Sequence, residues 1–158
     1  PKFIFPMSRV FSSFVTMSFS LGAILIVMLV TRAPLHWQLL LFPLPLILLL
    51  LFAMGVSMVL SSLSVYFRDV THLYSVVTLA WMYVTPVFYP VSALPDEVAW
   101  VLKLNPMYYY LDNFRQLVLY GSLPTAKSWC ICLLCSGVAL AVGLAVFRKL
   151  QRNFILYL

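Results

Sequence analysis

The sequence predicts an all-α integral membrane protein: four transmembrane helices, with two short re-entrant or interfacial helices before the last. Three observations carry that reading. Hydrophobic residues fill 64% of the 158 positions, charged residues only 9%, and the mean hydropathy is +1.04. A soluble domain has about 25% charged residues, so this chain has too little polar surface to coat a globule in water. The charges are also spaced widely. None falls in 10–31, 33–67, 70–95 or 128–147, and each interval is long enough for a helix of roughly 20 apolar residues to cross a hydrocarbon core of about 30 Å. The exception is 90–127, which holds six of the fourteen charged residues together with Pro95, Pro106 and Pro124. That stretch is too irregular for a plain connection between spans.

The first span is expected at about 10–31, with Ser12, Thr16 and Ser20 at four-residue intervals. Such small-residue stripes let helices approach closely in lipid, where packing rather than hydrophobicity drives association. A turn with Pro34 and the interfacial Trp37 leads to a second span, about 39–64. Its prolines, Pro43 and Pro45, sit near the entry, where a missing backbone donor matters least. Gly55, Ser57, Ser61 and Ser62 form its small-residue face. The third span, about 72–88, follows an Arg68–Asp69 turn and ends among Trp81, Tyr83, Phe88 and Tyr89, broken by Pro86 and Pro90. In 90–127, Pro95 followed by Asp96 and Glu97 reads as a helix start, with acids at the positive dipole end. Asn105 caps a second helix opened by Pro106. There Met107, Leu111, Phe114 and Val118 share one face, Asp112 and Arg115 are spaced to pair on the other, and Gly121 stops the helix. The last span, about 128–147, carries Gly137, Ala141 and Ala145 in register.

The net charge of +6 does not point to nucleic acid, because the ten basic residues lie scattered at span ends with no basic stripe and no recognition motif. They suit orientation better. Lys2, Arg9, Arg68, Arg148, Lys149 and Arg152 fall on one side of a four-span zigzag; Arg32, Lys103, Arg115 and Lys127 fall on the other, diluted by Asp96, Glu97 and Asp112. The basic excess marks the cytoplasmic side, so both ends are predicted inside. Cys130, Cys132 and Cys135 do not read as a metal site: residues two apart on a helix do not share a face, and no His or carboxylate joins them in the span. They read as small buried side chains. No phosphate-binding G-x-x-x-x-G-K-[ST] loop is present, and no charged side chain sits at mid-span where ion or proton paths are usually marked. The chain is therefore expected to be no enzyme and to hold no cofactor, with any transport driven from elsewhere. It opens PKFIFPMSRV without a starting Met and without a short signal core, which predicts a piece of a longer protein.

The stretches KFIFP (2–6), YFRDV (66–70), TPVFYP (85–90), LNP (104–106), FR (114–115) and the tail FRKLQRNF resemble, in order and spacing, the membrane subunit of bacterial type 2 ABC exporters. The similarity is to the branch moving lipid-linked polysaccharides such as O-antigen, capsule and teichoic acid precursors. It implies that residues 1–158 form the later part of one six-span permease domain, spans three to six. It also implies a plasma-membrane location with both ends cytoplasmic, and 90–127 as two re-entrant helices on the outer side. Its implied partners are a second permease copy, membrane lipid, the lipid-linked glycan and an ATPase subunit that binds ATP and Mg.

Two sites are expected on that frame. Tyr66, Phe67, Arg68 and Asp69 form an elbow that passes ATPase closure to the third span; Arg68 equally suits a cytoplasmic anchor neutralised by Asp69. Pro86, Phe88, Tyr89 and Pro90 form an outer gate, since irregular backbone at membrane depth is tolerated only inside protein or beside water, and aromatic faces can stack on sugar rings. An interfacial aromatic belt has the same composition. The elements Asn105, Pro106, Asp112, Arg115 and Gly121 shape the re-entrant helices. Other readings are the same fold exporting a drug or lipid, a non-transporting truncated or scaffold protein, and a membrane glycosyltransferase; the last lacks the clustered polar groups a sugar phosphate requires.

Overall fold

A computed structural model of the chain describes residues 4–152. Lys2 and the tail beyond Arg152, which enter the charge and motif readings, lie outside them. The described residues form six α-helices and no strand: α1 (Ile4–Val30), α2 (Pro43–Tyr66), α3 (Val70–Val84), α4 (Asp96–Lys103), α5 (Pro106–Arg115) and α6 (Ala126–Gln151). Among the described residues, three helical stretches are long and apolar enough to cross a membrane: α1, Trp37–Tyr66 and α6.

The expected third span is shorter than its charge-free interval. It ends at Val84 rather than 88, giving a helix of 15 residues, or about 22 Å at 1.5 Å per residue. The cause is local. Thr85 precedes Pro86, whose ring excludes the helical conformation at the residue before it, and Thr85 is extended at φ −84°, ψ 124°. The first span moves the other way and starts at Ile4. Pro6 and Arg9 are thus helical, the proline in the first turn where its missing donor is tolerated.

The centre of the molecule is the α2–α6 pair. Gly55 and Gly143 lie where the two backbones touch: a Cβ on Gly55 would collide with the Ala139 carbonyl, and one on Gly143 with the Gly55 carbonyl. The packed face of α6 is Ser128, Cys132, Ser136, Gly143 and Phe147. The expected stripe of Gly137, Ala141 and Ala145 faces outward, and a Cβ on Gly137 would meet open space. The stripe on α1 is also unpartnered within the chain; Thr16 and Ser20 return their hydroxyls to the carbonyls of Ser12 and Thr16. On α2 the expected small-residue face is used, with Gly55 and Ser62 buried. Near the α2–α3 elbow, Met58 and Phe147 join Met7, Val65, Leu144 and Leu150 in an apolar cluster that ties α1, α2 and α6 together.

Helix α5 packs against the other half of this pair, and α4 packs on α5. Tyr110 of α5 meets Ser136, ten residues into α6, which is about 15 Å along its axis. The same ring lies 5.7 Å from Phe52 of α2. The buried residues of α5 are Tyr110 and Asn113, followed by Leu117 and Val118 in the turn after it; Met107, Leu111 and Phe114 are only half-buried. Of the four apolar residues expected to share a face only Val118 is buried, while Tyr110 and Asn113 bond to the facing helix α6.

Candidate functional site

The break after α3 creates a run of backbone that neither helix nor sheet satisfies, and several of its groups have specific partners. The Thr85 amide and hydroxyl both donate to the Trp81 carbonyl, each at 2.9 Å. The Val87 amide donates to the Thr85 carbonyl at 2.8 Å, closing a three-residue turn around Pro86. The Tyr89 hydroxyl donates to the Tyr83 carbonyl at 2.8 Å, satisfying an acceptor that the end of α3 leaves open.

Two further bonds come from the α4–α5 hairpin. Asn105 accepts from the Met107 amide at 3.0 Å, capping α5 as its sequence position predicts, and its side-chain amide donates to the Thr85 hydroxyl at 3.1 Å. Arg115 donates to the Val87 carbonyl at 2.7 Å. That contact corrects the expected Asp112–Arg115 pair: Asp112 instead accepts from Gln116 at 2.7 Å. A free carbonyl beside a helix break competes for the guanidinium, and its bond is charge-assisted. Pro95 sits one place before its expected position, as the cap residue, with Asp96 and Glu97 in the first turn of α4.

Around this seam lies an open cleft of about 390 Å³ lined by Pro86, Phe88, Tyr89, Pro90, Asp112 and Arg115, among others. The structure therefore gathers the expected gate residues and two of the expected hairpin residues into one site. Pro86 is fully buried and Phe88 is 81% exposed, so they serve different ends: one fixes the break, the other offers an aromatic face. Gly121 stands apart. It stops the π-helical turn Gln116–Tyr120 at φ 58°, ψ 30°, a conformation favouring glycine, and the His36 ring packs where a Cβ would project. Tyr66, Phe67, Arg68 and Asp69 lie at the far end of α3, where Arg68 and Asp69 are exposed and the Tyr66 hydroxyl donates to the Leu150 carbonyl at 3.1 Å.

Sequence reasoning missed a buried polar chain beneath the cleft. Ser128 donates to Asn113 at 2.6 Å, and Asn113 donates to the Cys132 sulfur at 3.3 Å. Tyr110 is bonded to the Cys132 carbonyl and to the Ser136 hydroxyl, which in turn donates to the Leu48 carbonyl at 2.7 Å. Its signal was available: Tyr110 and Asn113 are three apart on α5, and Ser128, Cys132 and Ser136 recur every four residues on α6. Cys132 is buried as expected, whereas Cys130 is exposed.

Residues 3–119, through α1, α2, the break and α5, match the profile of the family described as ABC-2 type transporter. The chain belongs to that family. Among curated relatives, it is 30% identical over 120 residues to the O-antigen export system permease protein RfbA of Myxococcus xanthus, covering 75% of this chain and 46% of the relative. The protein of the same name from Klebsiella pneumoniae is 30% identical over 105 residues, 66% of this chain and 40% of the relative. The capsule polysaccharide export inner-membrane protein CtrC of Neisseria meningitidis is 27% identical over 107 residues, 68% and 40% respectively. The chain thus spans less than half the length of these relatives. Family, relatives and the three long apolar helices together make this ABC-2 chain a multi-pass membrane protein.

Proposed function

We propose that residues 1–158 are part of one transmembrane permease domain in an ATP-driven exporter of lipid-linked polysaccharide or a related glycan across the bacterial plasma membrane. The observation that carries this reading is the family match through the broken span, together with relatives named for export of O-antigen and capsule polysaccharide. The chemistry agrees. A glycan needs aromatic faces and planar polar groups along its route, and the cleft offers Phe88 and Tyr89 beside Asp112 and Arg115.

In this reading α1, α2 and α6 are three of four spans, and α3 with its irregular continuation to 88 is the fourth. A helix of about 22 Å falls short of a core of about 30 Å, but extended chain held by protein groups completes the distance. Helices α4 and α5 are re-entrant from the outer side, which the reach of Tyr110 on α5 to Ser136 and Phe52 supports. Both chain ends are cytoplasmic, following the basic residues near the elbow and the end of α6. An ABC ATPase subunit, carrying ATP and Mg, presses at Tyr66, Phe67, Arg68 and Asp69. A second permease copy completes the path. Pro86, Phe88, Tyr89 and Pro90 form the outer gate.

The test is affinity purification of the full-length protein from its native membrane, followed by export assays in vesicles. A stoichiometric ATPase and ATP-dependent movement of a polyprenyl-linked glycan are expected. Recovery without any ATPase, under conditions that keep a control exporter intact, would refute the proposal.

A further inference from the structure

Helix α3 and helix α5 are held in different ways, and the difference locates a seam. No residue of α3 between Val70 and Val84 is buried within the chain. Its outer end is attached to the hairpin through two side-chain bonds, Asn105 to Thr85 and Arg115 to the Val87 carbonyl. On its opposite side, α5 is joined to α6 and α2 through the buried chain of Tyr110, Asn113, Ser128 and Ser136. Buried polar groups that lose their partners keep the full desolvation penalty, whereas exposed groups regain water. Separating α5 from α6 breaks several buried bonds; separating α3 from α5 breaks one, between the buried Asn105 and Thr85, and an exposed one from Arg115, so it is opposed less. The cleft itself lies along this weaker seam.

We infer that Asn105 and Arg115 form a two-point latch, closing the outer gate by pinning the end of α3 to a hairpin that stays fixed on α6. Opening releases the Thr85 hydroxyl and the Val87 carbonyl, and the freed chain then presents Phe88 and Tyr89 to the widened cleft. Arg115 is a positioning residue in this device: its bond to a backbone carbonyl sets where 85–90 lies. Lysine does not reproduce a planar, multi-donor head, so the latch is specific to arginine. The latch rests on the proposed exporter reading and adds to it which contact moves.

The test uses the full-length exporter with its ATPase, held without nucleotide. A cysteine placed at Leu111, which lines the cleft, reports opening through its rate of reaction with a membrane-impermeant thiol reagent. The unmodified chain, whose Cys130 is exposed, gives the background rate. The double variant Asn105→Ala/Arg115→Gln is expected to react at least about tenfold faster than the latched protein, the factor that one or two lost hydrogen bonds carry. Arg115→Lys alone is expected to give an intermediate rate. Equal labelling in latched and unlatched proteins that are both inserted and both bound to the ATPase overturns the latch. Because this readout needs no cargo, it separates failure of the latch from failure of the export proposal, which would appear as an absence of glycan movement in the unaltered protein. Should the double variant fail to insert, reversible cross-linking decides instead: Val87→Cys/Arg115→Cys joined by a short cleavable reagent is expected to block export until reduced. Undiminished export while cross-linked also overturns it.

Discussion

The α2–α6 pair and helix α3 are built from similar apolar residues, yet they are held in opposite ways. Between α2 and α6 the backbones touch at Gly55 and Gly143, and buried polar groups cross the contact at Ser136 and Leu48. Along α3 nothing is buried, and the fixed points are the elbow at its start and the two hairpin bonds at its end. In lipid an apolar surface gives no preference for a protein neighbour over an acyl chain, so close packing and polar bonds decide what is fixed. Within this chain α2 and α6 form a post, and α3 is a strut pinned at its two ends. A part that must change position is drawn from the weakly held end of that range.

The comparison can be broken most forcefully at the post. Gly143→Leu places a side chain against the Gly55 backbone, which cannot yield as a flexible side chain would. A loss of about 3 kcal/mol is expected, seen as a collapse of the folded fraction during thermal melting in detergent. Asn113→Leu leaves the Ser128 hydroxyl and the Cys132 thiol without their partner. About 1–2 kcal/mol of destabilisation is expected by the same melt, and a value near zero would mean that the polar chain fastens nothing. Tyr66→Phe removes the bond to the Leu150 carbonyl where strut and post meet. A cost of about 1 kcal/mol is expected, with the melting of α6 most affected in hydrogen exchange. Leu79→Ala on the exposed face of α3 is expected to change stability by less than about 0.5 kcal/mol in the isolated chain. A large loss there would place α3 in the post.

Much of this was legible in the sequence. The charge-free intervals marked every long helix, and Asn105 with Pro106 and Gly121 marked both ends of the α5 segment, because caps and left-handed stops depend on neighbouring residues only. The gate and hairpin residues were singled out separately for their prolines and charges. That they line one cleft was not readable, since it depends on how two segments some twenty residues apart come together. Arg115 shows the limit clearly. Spacing on one helix made Asp112 its natural partner, but the helix break at Pro86 left a carbonyl that only the fold brings within reach. The small-residue stripes divided for a similar reason: Gly55 met a partner, while Gly137 faced outward, because a stripe records what can pack closely and not which face a neighbour occupies.

The most direct test measures distances between spin labels in the full-length protein with the proposed ATPase subunit, before and after trapping with ATP and vanadate. One pair of labels spans α2 and α6, at Ile47 and Val142; another spans α3 and α6, at Val77 and Val138, all on exposed positions. The α2–α6 distance is expected to stay constant while the α3–α6 distance shifts and broadens. A constant α3–α6 distance, or a shift within the α2–α6 pair of the same size, would contradict the division into post and strut.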